Sequence, residues 1–469
     1  MTQSVGRRVG GAVLLWAAVG LFVPGASAHS GSLGGSVADA TVPTWLVVIT
    51  GGIVVAGSFV FTSLLTDHEA IRDVNWRRST VSLPARPRTA ITTLARTGSV
   101  ALLGLVLVVG ALGPVTADRN FALLFVWAGW WAGYTATAYL VGDSWPLLNP
   151  WRALARAGRA LGRRAGRAVG ARSPPARYGV WPAVAGLLAM VWLEVVSPVG
   201  ENPRALAGLV AAYTLVTVAG AVVYGPSWFE RADPISRVFA AYGRVAPIQR
   251  TDSGVAVRLP GGALTDRALP DRPGETAFVV ALLWVTTYDG LVATPAWAAA
   301  IDPVVSLGVP ALIVYAAVLL GGFALFVGVY RWAARRTRER ADTYVTAATI
   351  ERWFAPALLP IAAGYHLAHF AGYFLGLAPA LAAVAAAPFA PPATPLVAVL
   401  PGWFGTVKLL CVLAGHVLAI WVAHSLAFEL FPGVLAAIRS QYHTVAAMIC
   451  YTVVSLWIIT QPYVPPPYV

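Results

Sequence analysis

Five of the seven histidines fall between residues 366 and 443: His366, His369, His416, His424 and His443. Four of these, and Asp289, sit inside long apolar runs, where an ionisable side chain is costly and usually serves a function. His366, His369 and Tyr373 follow i, i+3, i+7 spacing and share one helix face. Imidazole suits zinc, copper and iron, and a carboxylate adds a hard anionic donor. Three His and one Asp could hold such a metal and leave a position open for water or substrate. The candidate site is therefore Asp289, His366, His369 and His416, as metal ligands or acid–base groups, with Tyr288 and Tyr365 in support. The same residues could instead hydrogen-bond across helices and simply hold the bundle together. No HExxH or CxxC spacing singles out one metal. His424, with Glu429 and His443, forms a second tier further along the chain. Histidines paired on neighbouring helices could also ligate haem, with His424 as one axial ligand, or pass protons.

These groups need helices to carry them, and the composition supplies the helices. The 469 residues are 58% hydrophobic and only 11% charged, with a mean hydropathy of +0.70. A soluble fold is excluded by that balance. A transmembrane β-barrel is excluded because the apolar runs are continuous rather than alternating. The two cysteines, Cys411 and Cys450, both lie in apolar runs, so neither a disulfide framework nor a cysteine zinc site is available.

Residues 1–28 read as a cleaved signal peptide: Arg7 and Arg8, an apolar stretch over 9–23, then Ala26-Ser27-Ala28. Cleavage there makes His29 the first residue, and its amine and imidazole could bind copper. Ten apolar segments follow, near 42–65, 98–116, 121–142, 179–198, 205–225, 276–297, 307–331, 353–376, 404–428 and 444–462. The expected fold is all-α, a single polytopic helical membrane bundle over 29–469. With both ends outside, the inner loops are 66–97, 143–178, 226–275, 332–352 and 429–443. Of the 30 arginines beyond the signal, 28 lie in or at the edge of these loops; only Arg119 and Arg204 do not. That asymmetry orients the chain in a cell membrane and explains the net charge of +13 without nucleic acid. On this topology His366 and His369 lie roughly 15 and 10 Å below the outer surface, with Asp289 at roughly 12 Å and His416 at roughly 18 Å.

Three further features stand out. Arg152, Arg156, Arg159, Arg163 and Arg167 recur every three or four residues, as in a helix lying on anionic inner-leaflet lipid. Gly142-Asp143-Ser144-Trp145 leading to Asn149-Pro150 is echoed by Gly225-Pro226-Ser227-Trp228 leading to Asp233-Pro234, each a helix start. Val255–Leu259, before Pro260-Gly261-Gly262, suits a short hairpin. Glu194 and Lys408 fall near span ends, where snorkelling accounts for them.

Several segments carry a resemblance. They are Tyr365-His366-Leu367-Ala368-His369-Phe370, Gly415-His416-Val417-Leu418-Ala419-Ile420 with Ala423-His424, and Arg439-Ser440-Gln441-Tyr442 followed by Tyr451-Thr452 and Ser455-Leu456-Trp457. Thr287-Tyr288-Asp289-Gly290-Leu291 and Asn149-Pro150-Trp151-Arg152 belong to the same set. Together they resemble polytopic prokaryotic membrane proteins called fenitrothion hydrolase or fenitrothion hydrolase-like, in the same order over most of the mature chain. The resemblance implies hydrolysis of an organophosphate ester and assigns no catalytic residue. His443 stands where that pattern has a proline.

Three functions fit: a metal-dependent membrane enzyme, hydrolytic or redox; a transporter of a metal ion or small solute, with Pro360 allowing a broken helix; and a haem-binding electron-transfer protein. No phosphate-binding loop is present, which argues against ATP-driven work.

Overall fold

The computed structural model describes residues 43–82, 85–166, 169–170, 172–251, 254–266 and 268–469. The signal segment and His29 lie outside the described residues. Helix α9 (Glu275–Val292) is the axis of the molecule. Its sequence is apolar on every side, and such a helix belongs in a core. Seventeen of its eighteen residues are buried. Thr286 and Thr287 make this possible by donating their hydroxyls to the Leu283 carbonyl, at 2.9 and 3.0 Å. Its first turn is pinned by Glu275, whose carboxylate receives Arg237 at 2.6 Å.

Around α9 stand α1 (Thr44–Thr62), α3 (Ala85–Leu112), α6 (Trp181–Val196), α7 (Pro203–Tyr224), α11 (Ala311–Ala341), α13 (Leu359–Ala386), α14 (Phe404–Leu430) and α15 (Val434–Ile459), with the shorter α10 (Pro295–Ser306) between α9 and α11. Among the described residues, eight helices are long and apolar enough to cross a membrane. Their outer faces carry unpartnered large side chains such as Ile49, Ile53, Leu94, Leu320 and Leu325. In water that surface would be a liability; it is compatible with lipid contact. The chain is thus an all-α membrane bundle. Two further apolar elements are α6, which is short, and α4 (121–140), which is irregular.

Helix α4 begins with one α turn, Phe121–Leu123, passes through a π-helix over Leu124–Tyr134, and closes as α-helix over Thr135–Leu140. Asn120 starts it by accepting the Ala122 and Leu123 amides. Gly133 brings its backbone hard against Phe374 of α13; a Cβ there would lie 2.6 Å from that ring. Helices α13 and α14 meet as closely: a Cβ on Gly364 would sit 2.6 Å from the Cys411 carbonyl.

On the arginine-rich side, α2 (His68–Trp76), α5 (Pro150–Arg164), α8 (Pro234–Gly243) and α12 (Ala347–Phe354) lie between the long helices. The two echoed motifs start α5 and α8, and they touch. Asn149 accepts the Arg152 amide at 2.9 Å and gives its own amide to Ser236 at 3.0 Å, while Ser236 donates to Asp233 at 2.5 Å. The expected hairpin exists as β2 (Ile248–Arg250) and β3 (Gly254–Arg258), but it turns before Gly254 rather than at Pro260-Gly261-Gly262. Beyond that expectation, β1 (Arg78–Ser82) from a distant loop pairs with the other edge of β3, giving the antiparallel order β1-β3-β2.

Candidate functional site

Asp289 and His369 meet. The Asp289 Oδ2 lies 3.3 Å from His369 Nε2, with the two side chains 11% and 22% exposed. Asp289 comes from the last turn of α9, and His369 from the first half of α13. Helix α9 stops three residues past Asp289, at Val292, whereas α13 continues seventeen residues past His369, to Ala386. At 1.5 Å per residue, α13 runs on for about 25 Å. The pair thus sits within one turn of the end of α9 but far from the end of α13, which overhangs it. The Tyr365 ring lies parallel to His369, with centroids 6.0 Å apart. Its hydroxyl is buried without a hydrogen-bond partner and touches α9 where Gly290 leaves room; a Cβ on Gly290 would overlap it. Glycine at 290 lets the hydroxyl approach α9 beside Asp289.

Asp289 also faces a cavity of about 560 Å³ bounded by α3, α4, α6, α7, α8 and α9. That volume suits a small organic ligand. Trp127, Trp130, Trp131 and Tyr134 of the π-helix line one wall. Along α3 the lining runs from Ala95 to Val106, about 16 Å. Asp289 and Glu194 are the carboxylates in the lining, both near the same end; Pro150 and Pro234, which open α5 and α8, form the other end. Glu194 is therefore a chamber residue rather than a snorkelling one. The C-terminal tail closes over this end: the Val464 amide donates to the Ala293 carbonyl at 2.9 Å, and Tyr315 donates to Pro467 at 3.0 Å. Burial raises the Tyr463 phenol pKa, and the charges of Asp289, Glu194 and Glu201 raise it further.

The other histidines do not join the pair. His366 faces Tyr139, whose hydroxyl is 3.0 Å from Nδ1, inside a box formed by Trp131, Tyr139, Tyr242 and Phe370. His416 gives its Nδ1 proton to the Val412 carbonyl of its own helix at 2.8 Å. In both, Nε2 is buried without a partner. Among the described residues no group of three or more His, Cys, Asp or Glu is gathered to hold a metal ion. The expected four-residue ligand set of Asp289, His366, His369 and His416 is thus replaced by one pair and two separate histidines. The physical reason is helix rotation. Residues at similar depth on three helices converge only if all three faces turn inward together, and depth says nothing about that.

His424 departs from expectation in another way. Its Nε2 meets the Leu65 carbonyl at 2.9 Å and its Nδ1 meets Gln441 at 3.3 Å. Both nitrogens face oxygens of the protein, and among the described residues no histidine lines the chamber. Glu429 takes a two-point contact from Arg72, at 2.9 and 3.0 Å, and His443 packs edge-on against Trp332. Tyr288 donates its hydroxyl to the Tyr315 carbonyl at 3.1 Å. Tyr139 and the tryptophan wall escape the sequence reading, which has Glu194 only as a span-end residue; the run Trp127, Trp130, Trp131, Tyr134 is the available signal. Comparison with known protein families, with curated proteins and with solved structures finds no match.

Proposed function

We propose that the chain is a multi-pass membrane enzyme that hydrolyses an apolar, uncharged ester held in the tryptophan-lined chamber. One observation carries this reading: a carboxylate paired with an imidazole stands at the wall of an otherwise apolar cavity. An apolar ester partitions into the bilayer and so is concentrated where the chamber lies. An organophosphate triester has that character, in keeping with the family the sequence resembles. The eight long helices, with α4 and α6, make ten spans, and the loop arginines favour both ends outside in a cell membrane.

Asp289 is the group that faces the ligand, and it acts as general base. It takes a proton from a water molecule; the water oxygen bonds to the ester centre, and the leaving oxygen departs with its bonding pair. His369 is a positioning residue: its N–H fixes the carboxylate and, when protonated, balances its charge in a low-dielectric setting. The Tyr365 hydroxyl is buried without a partner against Gly290, next to Asp289 in sequence, and the leaving oxygen takes its proton from water. Among the described residues no third His, Cys, Asp or Glu is gathered with Asp289 and His369, and the step above uses the protein's own groups alone.

The test is release of a coloured phenol from neutral aryl phosphotriesters and aryl carboxylic esters by purified protein in liposomes. Asp289→Asn should lower turnover by about 10²–10⁴-fold, the range for a general base, with an unchanged thermal midpoint. Equal turnover by wild type and Asp289→Asn would sink the reading. Binding of the esters without turnover by either would turn it toward a carrier.

A further inference from the structure

At the chamber's other end lies a cluster that ester hydrolysis does not use. Arg152, Arg156 and Arg159 share a face of α5, spaced four and three residues apart. Helix α5 packs across α3, which adds Arg96. Arg152 is answered on several sides: its guanidinium lies 4.5 Å above the Phe229 ring, and Asp143, Glu230 and Asp233 are within electrostatic reach. Arg159 donates to the Ala221 carbonyl at the end of α7, at 2.7 Å. Arg156 has no such answer. The charges that act on it are Arg96, Arg152 and Arg159, all of its own sign. One of its terminal nitrogens, and the Arg96 Nε, are buried without a hydrogen-bond acceptor.

We infer that Arg156, with Arg96 and Arg159, forms a site for a phosphate-bearing anion, in the first place the headgroup of an anionic phospholipid. Guanidinium N–H groups left without acceptors are costly, and gathering like charges adds repulsion. A phosphate removes both costs, because its oxygens match the planar fork of arginine. The headgroup source is favoured by what lies next to the cluster. Ala95 and Ser99 flank Arg96 on α3, and Pro150 and Trp151 open α5; all four line the apolar chamber. An acyl chain would find apolar surface within one residue of the arginines. Burial, then the neighbouring arginines, lowers the Arg156 pKa, as expected of a cation awaiting a counter-charge. The proposal goes beyond the hydrolytic reading and stands without it, since Asp289 is at the opposite end.

Native mass spectrometry of the full chain, exchanged against phosphatidylglycerol or phosphatidylcholine, tests this. Wild type should retain one phosphatidylglycerol in preference to phosphatidylcholine. Arg156→Gln and Arg96→Gln should each weaken that retention by about tenfold, the loss of one charge-assisted contact. Arg338→Gln, on the exposed end of α11, should not. Arg156→Lys keeps the charge but loses the fork, so it should bind weakly too and covers the case in which Arg156→Gln does not fold. Inorganic phosphate, titrated in lipid-free detergent, separates the two sources. Binding of phosphate alone, lost in the same variants, makes the ligand a free phosphate; no phosphate binding beside tight phosphatidylglycerol makes it the lipid. Wild-type retention by Arg156→Gln or by Arg156→Lys would overturn the site and reduce the arginines to diffuse surface charge.

Discussion

His369 and His424 make a controlled comparison. Both are histidines on long apolar helices, one on α13 and one on α14, and both arise from the same crowded stretch of sequence. His424 spends both ring nitrogens on protein partners, Leu65 and Gln441, and so ties α14 to the end of α1 and to α15. His369 spends one nitrogen on a carboxylate that itself faces an empty apolar volume. The first arrangement is complete in itself. The second leaves charge and space to spare, and beside it stands the unpartnered hydroxyl of Tyr365. A buried histidine therefore declares its role through what its hydrogen bonds leave over, not through its burial.

The widest separation between the two regions should come from exchanging their failure modes. Asp289→Asn should abolish most turnover and leave the thermal midpoint where it is, because the amide keeps the shape of the carboxylate. His424→Ala should do the reverse. It strands the Leu65 carbonyl and the Gln441 side chain, at about 1–3 kcal/mol, so the midpoint falls while turnover per folded molecule holds. Thermal scans and turnover on the same preparations check both. Loss of turnover in folded His424→Ala would join the two tiers and break the distinction.

A smaller effect is expected from Gly290→Ala. The new methyl overlaps the Tyr365 hydroxyl and crowds Ile458, so the tyrosine ring must shift from its place over His369. Turnover should fall by about tenfold, as for a modest misplacement near a reacting group. Adding Tyr365→Phe removes the overlapping oxygen and should restore the ring's position, though not a donor function of the hydroxyl. If the double variant recovers turnover fully, Tyr365 is packing alone; if it recovers only the thermal midpoint, the hydroxyl takes part.

How much of this could be read from residues alone follows from the range of the forces involved. The long spans were legible because a run of apolar residues is a local property. Their ends were less so. Helix α13 outruns its expected end at 376 because 377–386 are rich in alanine, a residue that extends a helix whether or not lipid surrounds it. The π-helix of α4 was not legible, since its register depends on Gly129 and Gly133 meeting Leu381 and Phe374 on a distant helix. The pairing of β1 with β3 is likewise non-local. At the site, Asp289 and His369 both stand out in the sequence, but their partnership is hidden among four candidates because helix rotation is set by packing. Glu194 was set aside by its position near a span end, yet its direction, into the chamber, is what matters. The echoed Asn149-Pro150 and Asp233-Pro234 motifs were visible as helix starts, whereas their mutual contact through Ser236 was not.

The chamber itself is open to the mildest test. Gly98 lines it on α3, and a Cβ built there meets nothing within 4 Å. Gly98→Leu should therefore start into open space and intrude on the cavity that Gly98 lines. Leucine is also the better helix former by roughly 0.8–1 kcal/mol, so the thermal midpoint should hold or rise. If the chamber holds substrate, the added side chain should raise KM for a bulky ester by several-fold, in line with the 1–3 kcal/mol that small steric changes cost in an apolar pocket. A small ester should be spared, and kcat with it should be unchanged, because Asp289 is at the far end of the cavity from Gly98. Equal effects on bulky and small esters would mean that the chamber does not sort substrate by size. No effect on either, in a protein that still loses turnover on Asp289→Asn, would detach the chamber from the site. The carboxylate–imidazole pair would then draw its substrate from the tail-covered side, past Tyr463, and the comparison with His424 would rest on the pair's chemistry without the volume beside it.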